Sequence, residues 1–226
     1  MPTIVIGSTK GGCGKTTLSL ILASELSDAG ASVTILDADK EGSLSNWGRD
    51  WEGTAPITIK GQITEDTVMD DIVEAAAQST FVIVDIEGTA NMTLTKAATM
   101  ADLVLIPQKA SALDWERTSK TVKGITDAGR MASKDIPFRV VITQTSQVAR
   151  SKPMLSIIES LRAKVPTMKQ ELYDLEAFRS MFLYRQTLPE LEQEKVVKTT
   201  TARLVAKDLL SEVIEILQEA RNVENA

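Results

Sequence analysis

The chain has 226 residues, of which 43% are hydrophobic and 25% are charged, as is usual for a globular protein in water. It contains one cysteine and no histidine, which excludes an internal disulfide framework, a serine-histidine triad and a histidine-ligated zinc site. No apolar run reaches the roughly 18 residues of a membrane span, and the first strand leads into a glycine-rich turn rather than a signal peptide. We therefore expect a cytoplasmic protein with no membrane partner.

The net charge of −6 is unevenly distributed along the chain. Residues 1–102 carry 15 acidic and 6 basic side chains, whereas residues 103–226 carry 16 acidic and 19 basic ones. A protein that is acidic overall is a poor candidate for tight binding to DNA through bulk charge. The excess of basic residues in the second half still allows a local basic surface there.

In chain order, short β-branched runs alternate with stretches of helical periodicity, and we find no repeat, low-complexity segment or Pro/Gly-rich linker. The expected strands are Thr3–Ser8, Val33–Asp37, Ile57–Lys60, Phe81–Ile86, Leu103–Pro107, Arg139–Thr143 and, more weakly, Thr167–Glu171. The expected helices cover residues 15–29, 66–78, 92–101, 113–132, 153–164 and 202–221. Continuously apolar strands suit a parallel sheet that is buried on both faces. We therefore predict one domain over residues 1–226, with an α/β fold in which a doubly wound, mostly parallel sheet is flanked by helices.

The segment from Lys10 to Thr17 lies between the first strand and the first helix and reads Lys-Gly-Gly-Cys-Gly-Lys-Thr-Thr. Such a turn lets backbone N–H groups converge on phosphate oxygens, and the helix N-terminus adds positive potential. Lys15 is expected to reach the β- and γ-phosphates of a nucleotide, and the Thr16 hydroxyl to bind Mg²⁺. The residues predicted to hold the nucleotide are Lys10, Gly11, Gly12, Cys13, Gly14, Lys15, Thr16 and Thr17.

This phosphate loop (Lys10–Thr17) departs from the usual Gly-x-x-x-x-Gly-Lys-Ser/Thr pattern at two places. Thr9 stands where the first glycine is usual, and Lys10 adds a second lysine inside the loop. The alternative, a chance cluster of glycines, conflicts with the order of strand, loop and helix. Cys13 occupies a variable position that needs only a small side chain, with a redox role as its alternative.

Three carboxylates follow the predicted strands on the side where ligands of such sheets bind. Asp37 and Asp39 end the second strand two residues apart, a spacing that lets both side chains point the same way. Asp85 ends the apolar fourth strand, where an acidic residue is expected to bind Mg²⁺ through water. We therefore predict Thr16, Asp37 and Asp85 as metal ligands and Asp39 as the residue that orients the attacking water. The alternative for each carboxylate is a solvated strand end or a helix cap, and Glu87 is a weaker candidate.

Taken together, these motifs resemble those of the ParA/MinD family of ATPases. Residues 10–17 are similar to its deviant Walker A signature, Asp37-Ala38-Asp39 to its switch I motif, and Phe81–Asp85 to its Walker B strand. Residues 37–47 further resemble the small ParF-like plasmid-segregation ATPases and the VirC1-like proteins of DNA-transfer systems. Residues 103–107 and 111–114 resemble the same group.

The resemblance implies a P-loop ATPase that binds ATP and Mg²⁺ and forms an ATP-dependent homodimer, with higher assemblies as a further expectation. Lys10 would reach the partner's nucleotide, Lys15 would act within its own subunit, and with Asp39 these form the expected catalytic set. Hydrolysis would be slow until a partner protein stimulates it, in the service of plasmid or chromosome segregation. Two departures bear on that stimulation, because Lys40-Glu41 replaces the frequent Pro-Gln, and Ile86-Glu87-Gly88 replaces Pro-Pro or Pro-Gly.

Members of this family bind DNA nonspecifically through basic residues near the C-terminus. The corresponding candidates are Lys195, Lys198, Arg203 and Lys207, and Arg117, Lys120 and Lys123 form a second basic helix face. The alternative for both sets is an ordinary solvated surface, whereas DNA binding would associate the protein with the nucleoid. Because the phosphate loop begins at residue 10, we expect no preceding helix-turn-helix and infer a separate centromere-binding or relaxosome-like adaptor.

Further expectations concern the last helix, the contacts with the nucleotide base, the tryptophans and the alternative functions. The last helix is expected to pack in the core, because its Glu212, Glu215 and Glu219 would repel an anionic membrane. Candidates for base contacts are Thr143, Gln144 and the loop around Phe178, and the tryptophans Trp47, Trp51 and Trp115 are expected in packing or a dimer interface. A VirC1-like accessory protein and a nucleotide-binding scaffold with negligible turnover are the alternatives in function. Lys10 argues against a metabolic ligase, and a single cysteine argues against an iron–sulfur carrier.

Overall fold

The computed structural model describes residues 1–88, 92–111, 115–148 and 150–224. Its centre is a sheet of seven parallel strands in the order β3-β2-β4-β1-β5-β6-β7. The strands are β1 Thr3–Ile6, β2 Val33–Ala38, β3 Ile57–Lys60, β4 Phe81–Ile86, β5 Leu103–Lys109, β6 Phe138–Thr145 and β7 Leu172–Tyr173. The predicted fold class, a doubly wound parallel sheet, is therefore confirmed.

Helices cover both faces of the sheet. Within the described residues they are α1 Lys15–Asp28, α2 Ser43–Arg49, α3 Val68–Gln78, α4 Met92–Thr99, α5 Trp115–Ala132, α6 Lys152–Lys164, α7 Glu176–Tyr184, α8 Leu188–Glu194 and α9 Thr200–Glu224. Every predicted helix is present, with ends that differ by a few residues. The short helices α2, α7 and α8 were not predicted from the sequence.

The weak strand predicted at Thr167–Glu171 is wrong. In the structure Thr167 makes only an isolated bridge with Val140, and the last strand is the two-residue β7. Glu171 is buried, and its carboxylate accepts a hydrogen bond of 2.9 Å from the Thr145 hydroxyl. Regular pairing with β6 begins at Leu172, one residue after Glu171.

The core consists of two apolar layers, one on each face of the sheet. One layer joins the sheet to α1, α2 and α7–α9, and the other joins it to α3–α6. Leu209, Val213 and Leu217 of α9 are buried in the first layer, which confirms that the last helix packs in the core. Among the described helices, none combines the length and the apolar composition that crossing a membrane requires.

Candidate phosphate-binding site

The phosphate loop follows β1 near the middle of the sheet, and the ends of β2 and β4 lie beside it. The register pairs Asp85 of β4 with Ile6 of β1 on one side and with Asp37 of β2 on the other. A cavity of about 520 Å³ opens above these strand ends. It is lined by Gly11, Gly12, Gly14, Lys15, Thr16, Thr17, Asp39, Glu41, Ser43, Glu87, Gly88 and Gln144. Seven of the eleven residues predicted for nucleotide binding, Mg²⁺ and catalysis therefore line one cavity.

The loop adopts the backbone that its glycines permit. Gly12 and Gly14 have φ angles of +68° and +93°, in the left-handed region that disfavours other residues. Gly14 immediately precedes α1 and has no side chain to cap it, so the first N–H groups of the helix are open to an anion. The side chain of Lys15 is buried, and its Nζ donates to the Lys10 carbonyl over 3.2 Å. This conformation is suited to surrounding a phosphate group.

The end of β6 holds the loop in place. The Thr143 hydroxyl donates to the Cys13 carbonyl over 2.7 Å, and Gln144 Nε2 donates to the Gly12 carbonyl over 3.1 Å. The carbonyl groups of Gly12 and Cys13 are thus turned toward β6. The sequence indicates Thr143 and Gln144 as candidates for base contacts. Their hydrogen bonds to the loop show that both residues also support the loop. The sequence feature that could have indicated this role is the run of polar residues at the end of an apolar strand.

Thr9, which replaces the usual glycine, ties the loop to α5. Its Oγ1 donates to the Arg117 carbonyl over 3.1 Å, and its backbone N–H donates to Thr121 Oγ1 over 3.3 Å. A glycine could make only the second of these hydrogen bonds. The departure from the usual pattern therefore adds a contact at the start of the loop.

Asp85 is the most unusual carboxylate in the site. It is 1% exposed, and neither of its oxygens has a hydrogen-bond partner among the described residues. Burial raises the pKa of Asp85 from 3.8 to about 7; the nearby Thr16 hydroxyl, which forms no well-aligned hydrogen bond with it, opposes the rise, and the charge of Asp37 adds to it. A buried carboxylate without a partner fits a bound cation or its water shell.

The sequence predicts Asp37 as a metal ligand, and in the structure its carboxylate accepts hydrogen bonds from nearby residues. Its Oδ2 accepts hydrogen bonds from the backbone N–H and the hydroxyl of Ser45, at 2.7 and 2.8 Å, and its Oδ1 accepts from the Asp39 N–H at 3.2 Å. Asp37 thus fixes α2 and the turn that carries Asp39. In the described part of the chain, no group of three or more acidic, histidine or cysteine side chains is arranged to hold a metal ion. Both carboxylate oxygens of Asp37 thus accept hydrogen bonds within the protein, whereas those of Asp85 have no partner among the described residues.

Gly88 brings the end of β4 against the phosphate loop. A Cβ at this position would lie 2.7 Å from the Gly11 nitrogen and 2.8 Å from the Lys10 carbonyl carbon, and both are backbone atoms. Only glycine allows this approach without moving the loop.

We predict that Gly88→Ala weakens nucleotide binding about 10-fold, because the added methyl group displaces the loop, at a cost comparable to overpacking a core. Titration with a fluorescent ADP analogue measures the change. Gly124→Ala on α5 is the matched control, since a Cβ there would meet nothing within 4 Å. Equal affinities for the two variants would contradict the prediction.

A second cavity of about 280 Å³ adjoins the first and shares Gly14, Thr17 and Gln144 with it. Its remaining lining residues are Thr143, Leu172, Tyr173, Asp174, Leu175, Phe178, Arg179 and Phe182. Its apolar and aromatic lining, with a few polar groups, is typical of a site for a planar ring. The loop predicted around Phe178 is helix α7, and it does border this cavity.

The four basic residues predicted to bind DNA do not form one surface. Lys195, Lys198 and Lys207 are exposed, whereas Arg203 is 7% exposed. The Arg203 guanidinium pairs with the carboxylates of Glu25 and Asp28 on α1 and, at 3.3 Å, with Glu192 on α8. The expectation that Arg203 contacts DNA is therefore wrong, because its charge is used inside the protein to join three helices. In the second set, Arg117, Lys120 and Lys123 are all exposed.

We predict that Arg203→Ala lowers the free energy of unfolding by about 2 kcal/mol at pH 8, because it leaves the Glu25 carboxylate buried without its cation. Burial already raises the pKa of Glu25, and Arg203 opposes that rise. Without Arg203 the carboxyl group is protonated more readily, so the loss of stability is smaller at pH 5.5 than at pH 8. Urea unfolding at both pH values measures the loss of stability, with exposed Lys123→Ala on α5 as the control. A loss that is the same at both pH values would contradict this account.

Two of the three tryptophans anchor α2. The rings of Trp47 and Trp51 stack with centroids 5.2 Å apart. The Trp47 indole donates to the Met181 carbonyl of α7 over 2.7 Å, and the Trp51 indole donates to Glu190 of α8 over 3.1 Å. The expected packing role of this pair is confirmed, whereas the side chain of Trp115 and residues 112–114 lie outside the described part of the chain.

A sequence model of the VirC1 protein family matches residues 1–226. Protein ParA of Rhizobium radiobacter is 32% identical over 196 residues, which cover 86% of this chain and 88% of that protein. Among solved structures, a plasmid partition protein of Borrelia burgdorferi B31 bound to AMPPNP has a TM-score of 0.69 at 16% identity, covering 96% of this chain and 98% of that one. The septum site-determining protein MinD of Pyrococcus horikoshii, complexed with Mg-ADP, has a TM-score of 0.72 at 15% identity, covering 94% and 95%.

These matches confirm the resemblance to ParA/MinD ATPases that the motifs indicated. The ligands of the two structural neighbours, AMPPNP and Mg-ADP, agree with the expected ATP and Mg²⁺.

Proposed function

Because this chain belongs to the VirC1 protein family, we propose that it is a ParA-type ATPase that uses Mg-ATP to partition or position DNA. One observation carries the proposal. The phosphate loop, with Lys15 and Thr16, faces Asp39 across a single cavity, and the partnerless carboxylate of Asp85 lies at the adjoining strand end. A site built from these groups suits the transfer of a phosphoryl group to water.

The nucleotide would lie across both cavities. Its base would occupy the apolar cavity beside Phe178 and Phe182, and its phosphates would meet the N–H groups of the loop and the Lys15 ammonium. The Thr16 hydroxyl and, through water, the Asp85 carboxylate would hold Mg²⁺, whose charge offsets that of the phosphates. The orphaned oxygens of Asp85 are what this assignment explains.

Asp39 would orient the water that attacks the γ-phosphorus. Its position is set by the turn in which its own Oδ1 accepts from the Glu41 N–H over 2.9 Å and its N–H donates to Asp37. The new P–O bond forms as the bond to the bridging oxygen breaks, which yields ADP and phosphate. Lys15 stabilises the charge on the transferred group. Turnover is expected to be slow until a partner protein completes the site.

The second lysine of the loop, Lys10, would act across a dimer. A cation at the edge of the phosphate cavity is stabilised when a second subunit brings its triphosphate close to it, so ATP favours the dimer and hydrolysis disfavours it. Lys195, Lys198 and Lys207 are the remaining candidates for nonspecific DNA contacts. Dimerisation doubles such a surface and raises its avidity, which places DNA binding under the control of ATP.

Sizing by analytical ultracentrifugation tests the proposal, with ADP or a nonhydrolysable ATP analogue and with or without DNA. We expect a monomer with ADP, a dimer with the analogue, and DNA binding by the dimer.

Lys10→Ala is expected to bind the analogue yet remain monomeric, and Asp39→Ala to dimerise on ATP but lose hydrolysis. A wild-type protein that sediments identically with both nucleotides would overturn the dimer, and unchanged turnover in Asp39→Ala would overturn the role of that residue.

A second candidate function is favoured by the family model that matches the chain, which is that of the VirC1 protein. In that case the same ATPase would recruit a DNA-transfer complex, and its adaptor would be a relaxosome-like protein instead of a centromere-binding one. Binding assays with each class of adaptor discriminate the two. A protein with no measurable turnover even in the presence of either adaptor would instead be a nucleotide-binding scaffold.

A further inference from the structure

The two cavities give the bound nucleotide a direction. The base cavity and the phosphate cavity share Gly14, Thr17 and Gln144, so the base end of the ligand lies beside these residues. Among the described lining residues, the charged side chains of the phosphate cavity are Lys15, Asp39, Glu41 and Glu87, whereas those of the base cavity are Asp174 and Arg179. A triphosphate that starts at the base cavity therefore extends its last phosphate into a cavity that three carboxylates line together with Lys15.

One of these acids is fixed beside the loop by its neighbour in sequence. Glu87 immediately precedes Gly88, whose backbone is packed against Gly11 so closely that no side chain fits between them. The Glu87 carboxylate cannot retreat far from the cavity, because its backbone is held there. It is also 27% exposed, so it keeps contact with the water in the cavity mouth.

Glu87 is paired with Lys40, which follows Asp39. Lys40 Nζ lies 3.8 Å from Glu87 Oε2, so this pair joins the turn after β2 to the turn after β4. These are the two places where the sequence departs from the family pattern, and the structure brings them together. The Lys40 side chain is 88% exposed, and an ion pair in that setting adds little to stability. The Lys40–Glu87 pair matters instead for the charge at the mouth of the cavity, where Lys40 offsets part of the negative charge of Glu87.

We propose that Glu87 makes the binding of a triphosphate depend on a divalent cation, and that Lys40 moderates this dependence. The inference rests on the proposed function and adds a specificity-determining residue to its site. A triphosphate without a metal is repelled by the Glu87 carboxylate, whereas a divalent cation on the phosphates screens that repulsion. ADP, which lacks the last phosphate, is affected less. Lys40 neutralises part of the Glu87 charge and so limits the penalty.

The test compares the affinity for a fluorescent nonhydrolysable ATP analogue in EDTA with its affinity in Mg²⁺. The ratio of the two dissociation constants, Kd in EDTA over Kd in Mg²⁺, is the metal ratio. Glu87→Gln is expected to lower the metal ratio about 3- to 10-fold, the size expected for one unit charge several ångströms away in a partly solvated site. Lys40→Gln is expected to raise it about 2- to 5-fold, because Glu87 is then unopposed.

The opposite signs of the two variants are the diagnostic feature. The double variant Lys40→Gln/Glu87→Gln removes both charges, and its metal ratio is expected to lie between those of the two single variants. Asp127→Asn is the matched control, since it breaks another exposed ion pair, with Arg130 on α5 at 3.4 Å, away from the cavity. A fluorescent ADP analogue, titrated in parallel, is expected to show less than half of each effect on a logarithmic scale.

Three results would overturn the inference. They are a metal ratio in Glu87→Gln within about 2-fold of wild type, a shift of the same sign in both single variants, and equal effects on ADP and on the ATP analogue. Each of these leaves the proposed ATPase intact, because the wild-type protein still binds nucleotide. Failure of the wild-type protein to bind either nucleotide would overturn the proposed function together with the inference.

Discussion

Lys15→Ala is expected to weaken the binding of ATP about 100-fold or more and to abolish measurable hydrolysis. Lys15 is buried under the phosphate loop, and its Nζ donates only to the Lys10 carbonyl at 3.2 Å among the hydrogen bonds of the described residues. A phosphate would take up this ammonium group in a charge-assisted hydrogen bond, of the kind worth about 1.5–3 kcal/mol. Removing the charge also removes its attraction to the neighbouring phosphate, which enlarges the effect.

The change in affinity is measured by isothermal titration calorimetry with a nonhydrolysable ATP analogue in Mg²⁺. The folded state should persist, because the lost hydrogen bond is to a carbonyl of a surface loop. Circular dichroism checks that point, and exposed Lys120→Ala on α5 serves as a charge-matched control. Retention of wild-type affinity by a folded Lys15→Ala protein would refute the phosphate-binding assignment of the loop.

The fold was largely predictable from the sequence because its strands are continuously apolar. Runs such as Phe81–Val84 and Leu103–Pro107 are apolar on both faces, and a strand buried on both sides implies a parallel sheet with helices around it. The short helices α2, α7 and α8 lacked that clarity. Each has only two to three turns, too short for an apolar period to repeat, and each is stabilised by contacts with distant parts of the chain, such as the Trp47 indole with Met181.

Parts of the site that are formed by consecutive residues could be proposed from the sequence. Parts that depend on contacts between residues far apart in the sequence could not. The phosphate loop consists of eight consecutive residues that end in the first turn of α1, so Lys15 and Thr16 could be proposed from the sequence alone. The role of Arg203 depends on Glu25, which lies far away in sequence, on a helix that only the fold brings near. The same reason explains Asp37, whose partner Ser45 belongs to a helix that the sequence did not reveal.

The buried carboxylate of Asp85 affects both the stability of the folded protein and the proposed binding of Mg²⁺. Because burial raises its pKa from 3.8 to about 7, the folded protein without ligand holds a proton on Asp85 over a pH range in which the unfolded chain does not. The folded state therefore binds more protons than the unfolded state between these values, and its stability falls as the pH rises through that window. The loss amounts to about 1.4 kcal/mol per pH unit, about 4 kcal/mol in all, and it is complete above the folded pKa.

Asp85→Asn is accordingly expected to stabilise the ligand-free protein by up to about 4 kcal/mol at pH 8, because asparagine fills the same space without a charge. The gain should shrink by about 2 kcal/mol at pH 5.5, where wild-type Asp85 is itself protonated. The same variant is expected to lose hydrolysis in Mg²⁺, since the carboxylate proposed to hold Mg²⁺ through water is gone. Urea unfolding at the two pH values measures the gain, with exposed Asp208→Asn as the control. A variant that is less stable than wild type at pH 8, or equally stabilised at both pH values, would show that the buried charge of Asp85 does not oppose folding, and the case for a cation beside it would then lose its physical basis.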